Sequence, residues 1–193
     1  MSRAFISLRH RVRVMRLYTH DLRSIPAIDL KPGDCIARLD RDESQILQDV
    51  YRVDPEEDRA RFDRGERCYV GWSAGRAAAY CWAQDKGVHA IRGTWRRETI
   101  QPGDFWIYSG RTAEWARGRR LNPAALVTIL RDYKSRGYRR ALAYIAEENI
   151  ASIKGAQRTG FVLTERIRSF AWRTSLVRLP GSRYRGSSTE PGE

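Results

Sequence analysis

The apolar period of the sequence changes abruptly near residue 120, and this change constrains the fold more than any other feature. Residues 104–112 follow a Pro-Gly turn and have the two-residue period of a strand. After Gly118 the period becomes 3.6 residues, and one apolar stripe runs to Gly137, which predicts an amphipathic helix. A strand, a helix and a strand are predicted next, over residues 140–146, 150–158 and 161–172. This order requires a crossover connection, so helices must cover a sheet in this half of the chain.

The first half of the sequence predicts shorter elements. Two short helices are expected, one over residues 44–51 and one that begins at Pro55 with acidic residues in its first turn. Strands over residues 68–72 and 76–82 are close enough to form a hairpin, and a further strand is expected over residues 88–95. The sequence therefore predicts an α/β (α+β) fold with a mixed, mostly antiparallel central sheet flanked by helices.

The 193 residues fit one domain, for which we expect residues 35–179. Residues 1–34 form a basic segment that we expect to dock on this domain. Within it, apolar residues alternate with arginines over residues 12–17, as in an edge strand. Residues 180–193 consist mainly of Pro, Gly, Ser and charged residues, so we expect a disordered tail.

The chain is strongly basic and rich in arginine. It has 36 Lys and Arg against 23 Asp and Glu, a formal net charge of +13. Guanidinium groups suit phosphates and carboxylates, so an anionic ligand is expected. No stretch approaches the roughly 18 apolar residues of a membrane helix. Cys35, Cys68 and Cys81 form no paired motif, so we expect free thiols and a cytoplasmic protein.

A basic turn with one glycine, Arg117-Gly118-Arg119-Arg120, lies between the strand at 104–112 and the long helix. Backbone amides at a helix N-terminus, next to arginines, favour an anion such as a pyrophosphate. Pro123 near the first helical position loses no hydrogen bond. The alternative is an ordinary turn with solvated arginines.

A second segment, residues 147–161, follows a strand, begins a helix at the capping residue Asn149 and ends at Gly160-Phe161. Together the two segments resemble the acetyl-CoA-binding half of the Gcn5-related N-acetyltransferase (GNAT) superfamily, whose motifs are approximately (Q/R)xxGx(G/A) and NxxAxxxYxxxGF. The resemblance covers roughly residues 36–175 and is strongest over residues 104–161. It departs at three positions: Arg120 and Asn122 replace small residues, and Ala156 replaces the tyrosine that protonates the leaving thiolate in many members.

The resemblance implies a GNAT-like acyl-CoA N-acyltransferase fold. It also implies transfer of an acyl group from acetyl-CoA, or another acyl-CoA, to the primary amine of a small molecule by direct attack in a ternary complex. No metal is expected as a cofactor, because His10, His20 and His89 lack ligand spacing. The residues expected to bind the coenzyme are Thr112, Ala113, Arg117, Gly118, Arg119, Arg120, Leu121, Asn122, Asn149 and Ser152.

The catalytic candidates lie on the strand at 104–112. Because side chains alternate along a strand, Asp104, Trp106 and Tyr108 share one face, next to the expected acceptor site. Asp104 is the candidate base, and Tyr108 is a candidate orienting residue or alternate acid. The alternatives are a turn role for Asp104 and core packing for the two aromatic residues. Glu114, just before the basic turn, is an alternative base.

Other functions remain open at this stage. Residues 117–140 contain eight Lys and Arg residues against the single acid Asp132, which favours an RNA- or DNA-binding module as an alternative. The replacement at Ala156 leaves open a GNAT-like scaffold without catalysis. A small-molecule amine is the expected partner, and the sequence also leaves a homodimer open.

Overall fold

The structure, a computed structural model, describes residues 12–170 and 174–178. The predicted tail at 180–193 and the first eleven residues lie outside the described residues. Eight strands form one sheet: β1 (Val12–His20), β2 (Asp34–Leu39), β3 (Arg67–Ser73), β4 (Arg76–Gln84), β7 (Asp104–Thr112), β8 (Arg140–Ala146), β9 (Val162–Phe170) and β10 (Thr174–Arg178). Two short strands, β5 (Val88–Ala90) and β6 (Arg97–Thr99), form a separate hairpin.

The strand order in the large sheet is β10-β9-β1-β8-β7-β4-β3-β2. Neighbouring strands are antiparallel except β7 and β8, which are parallel. This confirms the predicted mixed, mostly antiparallel sheet. The hairpin predicted from residues 68–72 and 76–82 is β3–β4.

Three α-helices flank the sheet: α1 (Pro55–Asp63), α2 (Leu121–Ser135) and α3 (Ile150–Arg158). Asp54 caps α1 by accepting a hydrogen bond from the Glu56 amide, with Pro55 at the first helical position. The predicted stripe of α2 is confirmed, because Leu121, Ala125, Ile129 and Tyr133 are all buried. No helix among residues 12–170 is long and apolar enough to cross a membrane.

Three local predictions from the sequence are wrong. The helix expected at 44–51 is a 3₁₀ helix over Arg41–Asp49, and the strand expected at 88–95 shortens to β5. β1 is an interior strand that pairs with β8 and β9, rather than an edge strand. Leu17 and Tyr18 point to opposite faces of β1 and are both fully buried, so this strand needs cover on both faces. Its Arg16 is neutralised by Glu147, at 2.6 Å.

The core lies on both faces of the sheet. On one face, which we call the α2/α3 face, Phe105 and Ile107 pack with apolar residues of α2 and α3. On the other, the α1 face, Val70 and Trp82 pack against the 3₁₀ helix and α1 through Leu47 and Phe62. The β5–β6 hairpin lies farther along the α1 face, where the His89 ring stacks on Trp106.

β7 and β8 pair over only three positions, Asp104 with Arg140, Phe105 with Ala141 and Trp106 with Leu142. No further pairs join the two strands within the described part of the chain. β7 continues beside β4 as far as Thr112. The two strands therefore diverge and leave a cleft in the middle of the sheet, open at their C-terminal ends.

Candidate active site

A cleft between β7 and β8 lies beside the two predicted motifs. It holds about 620 Å³ of unfilled space, including its open mouth. Residues from β7, β8 and the first turns of α2 and α3 line it, so the two separate sequence motifs meet at one place. These lining residues include Tyr108, Gly110, Arg111, Asn122, Asn149, Ser152 and Ala156.

An irregularity in β7 shapes the cleft. The pairing of β4 with β7 shifts at Cys81, where Ser109 and Gly110 stand opposite one residue. Ser109 has a positive φ of 52°, which is uncommon for a residue with a side chain. A Cβ atom on Gly110 would lie 2.9 Å from the side-chain amide nitrogen of Asn122, so a side chain at this position would displace the Asn122 side chain.

The basic turn before α2 has the geometry of an anion site. Gly118 has a φ of +80°, and no atom lies within 4 Å of the position its Cβ would occupy, so its outer side is open. Arg120 occupies the position before α2 in the left-handed conformation, without a side-chain cap for the helix. Amides in the first turn of a helix have no acceptor within the helix, so they are available to an anion here.

The three arginines of this turn have different environments. Arg119 forms two hydrogen bonds to Asp34, at 2.8 and 3.1 Å, and lowers the pKa of that carboxyl. Arg117 pairs with Glu114 at 3.3 Å on the exposed surface, so Glu114 is held outside the cleft. Among the described residues Arg120 has no ion pair. It is therefore the arginine of this turn that is free to bind a phosphate.

The remaining residues expected to bind the coenzyme fall into two groups. The Asn149 side chain caps α3 by accepting a hydrogen bond from the Ser152 amide at 3.1 Å, and both residues line the cleft. Thr112 ends β7 and is partly exposed. Ala113 and Leu121, in contrast, are buried at 5% and 1% exposure. Their side chains pack in the core, so only their backbone can contribute to binding.

Tyr108 lines the cleft, and its hydroxyl donates a hydrogen bond to the carboxylate of Glu66. Glu66 lies just before β3, is buried and also accepts a hydrogen bond from Arg64 at 2.7 Å. Burial, followed by the negative charge of Glu66, raises the pKa of Tyr108. The phenol therefore stays protonated at neutral pH, and its proton is shared with a carboxylate.

The structure does not bring Asp104 to the cleft. Asp104 lies at the paired end of β7, whereas the strands diverge at the other end. Its buried carboxylate binds the guanidinium of Arg140 through both oxygens, one of them at 3.0 Å. Asp104 is thus a structural ion-pair partner, and the base expected there must be sought elsewhere. Trp106, expected on the same face, is packed between the rings of His89 and Tyr144.

A buried charged cluster on the α1 face escaped the sequence analysis. Arg61 of α1 lies 3.3 Å from Asp58, 3.4 Å from the Ser109 hydroxyl and beside Glu57. Its guanidinium also lies over the ring of Tyr108, at 5.4 Å. The spacing of these residues along α1 is typical of surface ion pairs, so burial alone distinguishes them.

Two of the three histidines, His20 and His89, lie within the described residues. No group of three or more His, Cys, Asp or Glu side chains among the described residues could hold a metal ion. His20 and His89 are both buried, and His10 lies outside those residues. Burial lowers the pKa of His20 and lowers that of His89 to about 4. Both rings are neutral at pH 7.

The fold is similar to solved GNAT structures. A GNAT-family protein from Novosphingobium aromaticivorans matches 86% of this chain over 64% of its own length, with a TM-score of 0.59 and 17% identity. A GCN5-related N-acetyltransferase from Sphaerobacter thermophilus matches 88% over 53% of its length, with a TM-score of 0.60 and 15% identity. The Salmonella typhimurium protein yncA, solved with its cofactor acetyl-CoA, matches 67% over 80% of its length, with a TM-score of 0.53 and 18% identity.

No protein-family model matches the sequence, and no curated protein matches it significantly. The chain spans about half to two thirds of the length of the first two structures above. These likenesses, with TM-scores of 0.53–0.60, show that the chain has the fold of solved GNAT structures. They confirm the resemblance that the motifs in residues 104–161 indicate.

Proposed function

We propose that this protein is an acyl-CoA-dependent N-acyltransferase, with acetyl-CoA as the first candidate donor and a small primary amine as the acceptor. One observation carries the proposal. The strands β7 and β8 diverge beside the first turns of α2 and α3. A cleft therefore leads from the candidate anion site at the basic turn into the sheet. An extended thioester with a charged end fits this arrangement.

In this proposal the basic turn binds the coenzyme pyrophosphate. The open side of Gly118 lets phosphates approach the amides of the first turn of α2, and Arg120 adds a positive charge. The acyl-carrying arm lies in the cleft, between Asn122 on one side and Asn149 and Ser152 on the other. Beyond Trp106 the edge of β7 that faces β8 is unpaired, so its N–H groups can bind the thioester oxygen.

The reaction needs a base for the acceptor ammonium and an acid for the leaving thiolate. We place both roles on Tyr108 and Glu66. The ammonium gives a proton to the Tyr108 oxygen while the phenolic proton moves to Glu66. The amine nitrogen then forms its bond to the thioester carbon, the carbon–sulfur bond breaks, and the nitrogen loses its second proton to solvent water. Reversal of the relay gives the proton to the thiolate, which replaces the acid missing at Ala156.

A binding experiment tests this function. Thermal unfolding is measured with acetyl-CoA, longer acyl-CoAs and a short RNA, at low and moderate salt. Saturable stabilisation by one thioester, which grows as RT ln(1 + [L]/Kd), supports the proposal. Stabilisation by RNA alone, with a steep salt dependence, would contradict it and favour the nucleic-acid alternative.

The charge distribution weakens the nucleic-acid alternative. Within the basic region 117–140, four arginines are paired with acids: Arg117, Arg119, Arg136 and Arg140. Their charge is largely neutralised within the protein. We also propose a cytoplasmic location, because Cys35, Cys68 and Cys81 are free thiols. Binding of acetyl-CoA without transfer to any amine would favour the non-catalytic scaffold.

A further inference from the structure

Arg111 lies at the mouth of the cleft, on the α1 face of the sheet. It follows the irregularity in β7 and stands directly opposite Tyr80 of β4, so the two side chains share a face. Its guanidinium lies over the ring of Tyr51, at 5.0 Å, and donates a hydrogen bond to the Gly110 carbonyl. Arg111 lines the cleft on the side away from α2 and α3.

Arg111 differs from every comparable arginine in the described part of the chain. Eight arginines there are at least partly buried, and seven of them pair with a carboxylate. Arg111 is the one without a carboxylate partner. A guanidinium removed from water is stabilised by pairing, so an unpaired one in a cleft is suited to an anion from outside. The seven paired arginines are Arg16, Arg61, Arg67, Arg96, Arg119, Arg136 and Arg140.

The Tyr80 hydroxyl provides a second, independent observation. Tyr80 is 1% exposed, and its hydroxyl is buried without a hydrogen-bond partner. A buried hydroxyl without a partner is unfavourable, so this group calls for an acceptor or a donor. The positive charge of Arg111 opposes the effect of burial on the pKa of Tyr80, which is raised to about 12. The phenol is therefore a hydrogen-bond donor at the strand position directly opposite Arg111.

The other charges on this face indicate which anion fits. The cluster around Tyr108 contains the acids Glu57, Asp58 and Glu66, and the arginines Arg61 and Arg64. Glu66 thus places a carboxylate beside Tyr108, and Arg111 places a guanidinium on the same face of β7. An acceptor with one ammonium and one carboxylate matches both.

We propose that Arg111 binds the carboxylate of the acceptor, and that the acceptors are amino acids with a free primary amine. This inference rests on the proposed N-acyltransferase function and names its substrate class. The planar guanidinium can hold a carboxylate with two hydrogen bonds, and the ring of Tyr51, whose centre lies 5.0 Å away, supports it. The amine then lies near Tyr108, three residues along β7.

The test compares amine acceptors that differ only in the carboxylate. Thiol release from acetyl-CoA is measured with the standard L-amino acids, β-alanine and γ-aminobutyrate, each beside its amide. At least one amino acid should be acetylated with kcat/KM about tenfold or more above that of its amide, since loss of a charge-assisted pair has an effect of this size. This comparison needs no variant, so it holds even where a substitution disturbs folding.

Arg111→Met keeps most of the side-chain volume and removes the charge. It should lower kcat/KM for the amino acid by about 10- to 100-fold and lower kcat/KM for the amide by much less. Arg111→Lys should have a kcat/KM for the amino acid between those of the parent and Arg111→Met, because lysine keeps the charge but lacks the planar guanidinium. Arg76→Met is the matched control: Arg76 also lies over an aromatic ring, Trp115 at 4.8 Å, but it is exposed and not part of the cleft. The Arg76→Met variant should keep the higher kcat/KM of the parent for the amino acid than for its amide.

The outcomes separate this inference from the function on which it rests. If calorimetry shows no acetyl-CoA binding by the parent protein, the proposed function fails and the inference fails with it. If acetyl-CoA binds but amides react as well as acids, or other amines are acetylated and no amino acid is, only the inference is overturned. Loss of acetyl-CoA affinity in Arg111→Met would assign Arg111 to the coenzyme and overturn the inference as well.

Discussion

The two sides of the cleft differ in the groups that line them. On the α2/α3 face, the candidate coenzyme site comes from two short continuous segments, the turn at 117–122 and the cap at 149–152. Its main features are a glycine, free amides and the unpaired side chain of Arg120. On the α1 face, the candidate acceptor site combines buried charged and aromatic side chains from four separate elements, among them Glu66, Tyr108 and Arg111.

This difference has a functional consequence. A pyrophosphate can be bound by backbone amides, whose positions are fixed by the turn and the helix, so the site tolerates varied side chains. An acceptor amine must be oriented and must lose a proton, which requires particular side chains held by burial. Substitutions on the two faces should therefore have different effects. Those on the α2/α3 face should change the affinity for the coenzyme, and those on the α1 face should change kcat.

The strongest test of the α2/α3 face is Gly118→Asp. We expect it to abolish acetyl-CoA binding while the protein stays folded, because it places a side chain and a negative charge where phosphates approach the amides. Calorimetry with acetyl-CoA and circular dichroism measure the two effects.

Gly137→Asp is the matched control for that variant. Gly137 follows the other end of α2, also has a positive φ, of +86°, and also has no neighbour within 4 Å of its Cβ position. The backbone strain and the added charge are thus similar at both glycines. Equal acetyl-CoA affinity in the two variants would remove the basic turn from the coenzyme site.

On the α1 face, Tyr108→Phe should lower kcat by about 100-fold or more and leave the acetyl-CoA Kd nearly unchanged. The lost proton relay acts in the transition state, whereas coenzyme binding uses the other face. Glu66→Gln should have a similar effect, because it removes the acceptor for the phenolic proton. Steady-state kinetics and calorimetry measure both quantities.

Asp104→Asn is the control for this pair. It removes a carboxylate from the same strand, but one held by Arg140 at the closed end of β7. It should lower thermal stability and leave kcat of the folded protein close to the parent value. A Tyr108→Phe protein with full activity would contradict the relay, and a loss of kcat in Asp104→Asn as large as that in Glu66→Gln would restore Asp104 as a candidate base.

A third test should distinguish the roles of Arg119 and Arg120 in the basic turn. Arg120→Ala should weaken acetyl-CoA binding by about 1–3 kcal/mol, because its guanidinium is free for a phosphate. Arg119→Ala should instead lower the melting temperature, because it leaves the buried carboxylate of Asp34 without its partner. Calorimetry with acetyl-CoA and with dephospho-coenzyme A shows which phosphate is bound. Equal affinities for acetyl-CoA in the two variants would contradict this assignment.

The smallest expected effect is a pH dependence of stability from the α1 face. The pKa of His89 in the folded protein is about 4, below its unfolded value of about 6.5. The unfolded chain therefore takes up the proton first, and stability present above pH 6.5 is lost as the pH falls towards 4. We expect a loss of about 1 kcal/mol between pH 7 and pH 5.5 from this group.

His89→Phe isolates this contribution, since it keeps an aromatic ring against Trp106 and removes the titrating group. His20 also has a lowered pKa, so some pH dependence should persist in the variant. Urea unfolding at the two pH values gives the difference between variant and parent. The same loss of stability in both proteins would show that His89 does not titrate as its burial requires.

Much of the fold follows from the sequence. The bounds of β7 and β8, the stripe of α2 and the capped start of α3 agree with the patterns in residues 104–158. The open turn at Gly118 and the cap at Asn149 agree as well. These features depend on interactions between residues that are close in the chain, such as capping and apolar period, so the sequence displays them directly.

The tertiary structure alone determines the rest. It makes β1 an interior strand, ties Asp104 to Arg140, and brings Glu66 to Tyr108 across 42 positions of the chain. The sequence does not distinguish a charged residue of α1 that is exposed from one that is buried. It also does not distinguish a carboxylate at the closed end of β7 from one at the open end. Only the packing of distant elements decides which groups lose water and which meet a partner, and these two outcomes set the chemistry of a side chain.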